Sequence, residues 1–273
     1  MIKRIFHHKG AVITISFILA IVMIGILAPV IAPNDPYKVD IMNKFAQISA
    51  EYPLGADQLG RCVLSRLIWG IRPTLGLAFL TMLGTITLGG LLGIISGYFR
   101  GIIDEIIMRV VDVMLSFPSQ IMVFAVVALF GIDVKNVILA NIFIKWAWYA
   151  RMIRTNVIKY RDKDFVNYSR VVGNSQMFIL TKHMLPSISS ELAVLASLDI
   201  GWAIINISTL SFLGLGVQAP VPEWGAMLNE AKEVLTTNPI QMIVPGIAIV
   251  VVVTAFNFLG DVLRDALDPK EEM

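Results

Sequence analysis

Cysteine occurs once in this chain, at Cys62, so no disulfide can form within it and no thiolate metal site is spelled out. Histidine is almost as scarce. His7, His8 and His183 are the whole set, and none has a recognisable nucleophile or metal-ligand partner in the sequence. Charged residues supply 15% of the chain, where a soluble domain carries about a quarter. The formal net charge of +2 is too small to indicate a nucleic-acid partner. No glycine-rich loop ends in Gly-Lys-Ser/Thr, so the chain has no phosphate cradle for a nucleotide of its own. No HExxH or GxSxG pattern occurs, which removes the usual machinery of an intramembrane hydrolase. Neither a catalytic residue nor a metal site is expected, and no cofactor is expected on this chain.

Apolar side chains are abundant instead. They make up 56% of the 273 residues, and the mean hydropathy is +0.76. A bilayer core of roughly 30 Å needs about 20 apolar residues in a helix. Six segments approach this: Ala11–Ala32, Thr74–Tyr98, Ile106–Phe130, Val134–Tyr149, Glu191–Leu213 and Ile240–Leu259. The expected class is therefore an all-α integral membrane protein with about six transmembrane helices. Ala11–Ala32 follows "MIKRIFHHK", is too long for a signal-peptide core and lacks a small-residue cleavage site, so it reads as a retained first span.

An even number of spans puts both termini on one side. With the N-terminus cytoplasmic, Lys3, Arg4, Lys9, Arg100, Arg151, Arg154, Lys159, Arg161, Lys163, Arg170, Lys182, Arg264 and Lys270 face inside, as the positive-inside rule asks of short loops. The chain then divides into a cytoplasmic N-terminus (1–10), a first span (11–32) and an extracytoplasmic loop (33–73). A five-helix core (74–262) follows with a cytoplasmic loop at 151–190, and a cytoplasmic C-terminus (263–273) ends the chain. "LGRCVLSRLIWGIRPTLG" spaces Leu64, Leu67, Ile68 and Ile71 helically, with Arg61 and Arg66 elsewhere on the wheel. It fits an interfacial amphipathic helix or an ordinary helix capping the bundle. Gly89, Gly93 and Gly97 form a small-residue face, suited to a seam with another subunit or to packing within the chain.

Charges within spans are costly and therefore informative. Asp199 lies near the middle of the fifth segment and Lys145 within the fourth. Asp199 could face a translocation path and attract cationic cargo, or serve as the buried partner of Lys145. Asn206, on the same segment, is a further path candidate. Glu105, Arg109 and Asp112 recur at turn spacing and suit an ion pair or a subunit contact. Asp261, Arg264, Asp265 and Asp268 read as a solvated helix end. The 13 methionines suit gap-filling in a helix bundle better than a metal site.

The polar stretch "DFVNYSRVVGNSQMFILTKHMLPS" stands between two apolar segments. Asp164 can cap a helix, and Gly173 suits the left-handed residue that stops one. About eight residues between them make a rod of roughly 12 Å. Asn174 or Ser175 can cap a second helix, expected to end before Pro186. A short capped helix outside the lipid could pass a push from a soluble partner into the bundle; the plainer reading is a surface loop with helical character.

This stretch resembles the coupling loop of ABC importer permease subunits. Asn167, Tyr168 and Ser169 stand at its opening triplet, Gly173 follows four residues on, and His183, Leu185 and Pro186 stand at its end. Asn167 replaces a usual glutamate, and Tyr168 and Ser169 replace small alanines. "YPLGADQLGRCVLSRLIWG", "MRVVDVMLSFPS", "LSFLGLGVQAPVPEWGAML" and "AFNFLGDVLRDALDP" are similar to the dipeptide/oligopeptide/nickel group, C-type subunit. "KWAWYARMIR", "ASLDIG" and "NPIQMIVPG" look more like its nickel branch. The resemblance implies a type I importer permease fold in the bacterial cytoplasmic membrane. It implies a heterodimer with a homologous permease, two cytoplasmic ATPases that bind ATP and Mg, and an extracytoplasmic binding protein. The implied cargo is nickel, cobalt or a chelated metal taken up by alternating access, with dipeptide or oligopeptide import as the alternative. A stand-alone channel or secondary transporter would leave the docking-type loop unexplained, and no repeated broken-helix pair occurs.

Overall fold

The computed structural model describes residues 8–267; their regular structure is helical, with no β-strand among them. The expectations placed on Lys3, Arg4, His7, Asp268 and Lys270 lie outside the described residues. The helices are α1 (Lys9–Ile26), α2 (Ala28–Ile31), α3 (Val63–Phe99), α4 (Gly101–Ser116), α5 (Ser119–Phe130) and α6 (Val134–Arg161). They continue with α7 (Asp164–Val171), α8 (Gln176–Ile179), α9 (Leu185–Phe212), α10 (Trp224–Ala231) and α11 (Ile240–Leu267).

Lys9–Ile26, Val63–Phe99, Gln176–Phe212 and Ile240–Ala266 are long and apolar enough to cross a membrane. The α4–α5 pair qualifies as a fifth span only when taken together, because it bends by 88°. The bend sits at Phe117 and Pro118. Proline disfavours helical backbone in the residue before it, and Phe117 is extended at φ −98°, ψ 142°. The expected uninterrupted span at Ile106–Phe130 is thus two helices. The segment expected at Val134–Tyr149 is helical within α6, but Lys135, Asn136, Asn141 and Lys145 leave it too polar to qualify.

No separate interfacial helix precedes the second span. Val63–Phe99 is one continuous helix of 37 residues, Pro73 included, and roughly 55 Å long. The arginine side of its first turns faces inward. Arg61 and Arg66 are each 2% exposed, and both pair with Asp57 and Glu230. This four-residue cluster ties the 33–62 segment to α10, and its Arg61–Asp57 contact is 2.7 Å. Glu223, fully buried, caps α10 through the Ala226 amide at 2.9 Å and accepts from Ser208 Oγ at 3.0 Å.

The glycine face of α3 packs on α6 of the same chain. A Cβ at Gly89, Gly93 or Gly97 would meet the carbonyl oxygens of Trp146, Ala150 and Arg154 at 2.6, 2.6 and 2.9 Å. Between the two readings of those glycines, the structure selects the intrachain one. The contacts also show that α3 and α6 run in the same direction, so the bent pair between them carries the chain back across the bundle. Gly25 of α1 lies against Ile71 near the start of α3, and Gly10 of α1 lies against Val262 near the end of α11. Arg72 closes the α1 end by donating to the Gly25 and Ile26 carbonyls at 2.6 and 2.7 Å. Both described ends of the chain therefore lie at the same end of the bundle as Phe99, and with it α7.

Candidate functional site

Two places concentrate unusual chemistry: the α7–α8 segment at one end of the bundle and an ion pair within it.

At the first, Lys163 rather than Asp164 is the N-cap of α7, with extended backbone at φ −71°, ψ 151°. Asp164 is the first helical residue, where its charge favours the helix dipole. α7 has eight residues, and Gly173 follows it at φ +87°. The Gly173 amide donates to Arg170 O at 3.0 Å and the Asn174 amide to Ser169 O at 3.1 Å, closing the helix with a Schellman motif. Asn174 Nδ2 also donates to Ser169 Oγ at 3.0 Å. Ser175 caps α8, accepting from the Phe178 amide at 3.2 Å. Asn167 bridges locally, donating to Asp162 O at 3.1 Å and accepting from Arg170 at 3.2 Å.

The second helix does not end before Pro186. α8 passes through a π-helical turn, Leu180–Met184, directly into α9. Proline has no N–H and its ring crowds the carbonyl four residues back. The wider turn changes the hydrogen-bond register just before Pro186, and the rod continues from Gln176 to Phe212.

One face of this segment is rooted in the bundle. Val166, Ile179 and Met184 are at most 1% exposed and pack in one cluster with Tyr98, Ile153, Val157 and Ile188. Tyr160 donates to Glu191 at 3.0 Å, joining the end of α6 to the start of α9. Burial, and then the Glu191 carboxylate, hold that phenol above its ordinary pKa. The other face is open and apolar: Tyr168, Val171 and Met177 are 71%, 85% and 68% exposed. Phe165 and Phe178 meet His183 at steep ring angles around a depression beside them, with centroids 5.9 and 5.7 Å from His183. Leu185 is exposed, while Ser169 is buried beneath the helix.

At the second place, the Lys145 ammonium pairs with Asp199 Oδ1 across α6 and α9. Asp199 Oδ2 is buried and has no hydrogen-bond partner among the described residues. The ammonium also lies over the Trp202 ring, 3.1 Å from its centroid. Both charged residues line a cavity of about 540 Å³ walled by Trp148, Tyr149 and Trp202, with Asn257 and Ser119 as further polar groups. Asp199 is thus the buried partner of Lys145, and it also lines this cavity. Asn206 lies apart from that lining, held by Gln120 at 2.5 Å and by Trp202 O at 3.2 Å. Asp112 pairs with Arg151 of α6, whereas Glu105 and Arg109 are 3.8 Å apart and largely exposed.

Sequence reasoning did not single out Val166, Ile179 and Met184, which anchor α7, or Trp202, which sits one turn from Asp199. A helical wheel through Asp199 would have found Trp202. The partnership of Glu230 with Arg66, 164 residues away, leaves no local signal.

Comparison with known proteins adds a lineage. Residues 89–272 match the binding-protein-dependent transport system inner membrane component family, and residues 1–49 match the N-terminal TM domain of oligopeptide transport permease C. The metal-staphylopine import system permease protein CntC of Staphylococcus aureus strain Mu50 is 46% identical over 99% of this chain and 93% of its own length. The nickel transport system permease protein NikC of Escherichia coli strain K12 is 40% identical over 92% of this chain and 93% of its own. The dipeptide transport system permease protein DppC of Alkalihalophilus pseudofirmus is 35% identical over 98% and 88%.

Proposed function

The chain belongs to the binding-protein-dependent transport system inner membrane components, as a C-type permease subunit of the peptide/nickel ABC importer group, and from that premise we propose that it imports nickel, cobalt or a chelated metal. It is a multi-pass membrane transport component and not an enzyme; in our reading, ATP and Mg bind to two partner ATPases. Both termini and α7 face the cytoplasm. A homologous permease completes the path, and an extracytoplasmic binding protein delivers cargo. α6 serves as the sixth span of a type I importer fold, its polar side covered by α3 and α9.

The observation that carries the mechanism is the two-faced α7 segment. Its buried face, Val166 and Ile179, is packed into the bundle, and its open face exposes Tyr168, Val171 and Met177, large side chains suited to a protein contact. Closure of the ATPases on ATP would displace α7 as a rigid piece. The continuous rod from Gln176 to Phe212 would then carry that displacement into the wall holding Asp199. Binding energy at the ATPase would so shift the balance between outward- and inward-open states.

Metal cargo is supported by the higher identity to the metal-staphylopine and nickel permeases, 46% and 40%, than to the dipeptide permease, 35%. The test is uptake in cells lacking their own nickel and dipeptide importers, with this chain and its companion subunits restored. Radiolabelled nickel, alone and with an added chelator, should accumulate in an ATP-dependent way. Accumulation of a labelled dipeptide with no nickel uptake would overturn the cargo assignment.

A further inference from the structure

At the end of the bundle opposite α7, the stretch that follows α2 displays large apolar side chains on a pinned backbone. Tyr37, Val39, Ile41 and Met42 are 44%, 53%, 59% and 94% exposed. The Asp40 amide donates to Leu59 O at 2.9 Å, the Phe45 amide to Asp57 O at 3.2 Å and the Ala56 amide to Ala46 O at 3.0 Å. Gly60, at φ +74°, passes so close to the Asp40 carbonyl that no side chain fits between them. The fold therefore holds these side chains outward, where contact with water is unfavourable.

Neighbouring residues fix the height of the stretch. α1 and α2 cover Lys9–Ile31 with a break at Leu27, about 34 Å of helix against a hydrocarbon core of roughly 30 Å. The chain thus leaves the core near Ile31. Ile26, Leu27, Val30 and Ile31 are exposed there, and only "APNDP" separates them from Tyr37. The Asn34 amide donates to Ser65 Oγ at 2.9 Å, and the Tyr37 ring meets Trp69 edge-on at 6.3 Å. The Arg72 guanidinium lies over the same Trp69 ring at 4.9 Å while it holds the carbonyl end of α1. Tyr and Trp gathered at one height mark a membrane–water boundary.

We propose that this stretch is a foot resting on the bilayer: Val39, Ile41 and Met42 enter the headgroup layer of the adjoining leaflet, and Tyr37 with Trp69 sits at its boundary. The occupant of the surface is lipid, because the stretch continues the lipid-facing side of α1. Asp35 and Asp40 balance Lys38 and Lys44, so the attraction is apolar and needs neither anionic lipid nor low salt. The foot holds this end of α1 and α3 in the boundary layer while the far end answers to α7. The proposal rests on the membrane reading of the chain and is independent of its cargo.

The test places a nitrobenzoxadiazole fluorophore on Met42→Cys in the complete transporter, this chain with its partner permease and ATPases, in nanodiscs of neutral phosphatidylcholine. The unsubstituted complex treated alike supplies the background, and Cys62 is 1% exposed. Lipid carrying a nitroxide near its headgroup should weaken the emission at least about twofold, as suits a side chain buried roughly 5–10 Å into the boundary. Lipid with the nitroxide at its acyl terminus should quench less, aqueous iodide should quench little, and added salt should change neither. Quenching by iodide and by neither lipid would overturn the proposal. So would a label that is shielded from iodide only once the binding protein is added, which would give the surface to a protein partner.

A companion Val39→Asn/Ile41→Asn change should return the label to water. Unaltered lipid quenching in that variant would show that the dye, and not the protein, seeks lipid, and would equally overturn the foot. A transporter of some other cargo would give the same quenching, so a missing lipid signal counts against the foot alone and missing nickel uptake against the cargo alone.

Discussion

Gly173 shows how one residue can govern a long-range task. Its φ of +87° lies where side chains with a Cβ are strained, yet a Cβ there would meet nothing within 4 Å. Backbone conformation, and not crowding, therefore demands glycine. Gly173→Val should cost roughly 1–2 kcal/mol locally and loosen the Schellman closure of α7. In reconstituted complexes, cargo-stimulated ATPase activity should fall while membrane insertion and subunit assembly persist; unaltered stimulation would detach α7 from coupling. This position was legible in the sequence because a glycine between two capped polar segments has few other uses. The cap at the far end was less so. Asp164 and Lys163 are neighbours, and whether the helix begins on one or the other depends on Lys163 adopting extended backbone at the turn out of α6. Asp199 was conspicuous as a lone acid in an apolar run, but its pairing geometry depends on how α6 and α9 cross, which no local pattern encodes.

Among the elements, the α3–α6 seam sets the frame on which the rest is hung. Gly93 meets the Ala150 carbonyl, so a side chain there must push two long helices apart. Gly93→Leu should destabilise the assembled complex by about 1–3 kcal/mol through overpacking, read as a lower Tm and a lower yield of intact subunit. An unchanged Tm would mean that the two helices separate freely. Prolines mark where element-level reading failed, and each failure has a backbone cause. Pro118 breaks a run that is apolar on both sides, and composition alone does not distinguish a bend of 88° from a straight helix. Pro186 was expected to end a helix, but the π-turn at Leu180–Met184 absorbs it. Pro73 sits inside α3, and Arg61 and Arg66, set on the wheel away from the leucines, are buried against Asp57 and Glu230. Periodicity places apolar and charged residues on a wheel; it does not say which side a distant segment will cover.

For the whole molecule, membrane character was evident from composition, and the coarse order of helices follows the apolar runs. The polar character of α6 was less readable, because a helix lined by others can carry Asn141 and Lys145 that a lipid-facing one could not. α1, α3 and α11 place both described chain ends at the end of the bundle that bears α7, so one sidedness experiment fixes all three together. The decisive measurement is contact between α7 and an ATPase. Cys62 is 1% exposed, so a single Tyr168→Cys substitution gives one accessible thiol on the open face of α7. Labelled with a photo-reactive maleimide in inside-out vesicles holding the complete transporter, it should form an adduct with the ATPase subunit whose yield changes on adding ATP. Labelling of that thiol by a membrane-impermeant reagent in intact cells, or irradiation that yields no ATPase adduct, would contradict the coupling role of α7.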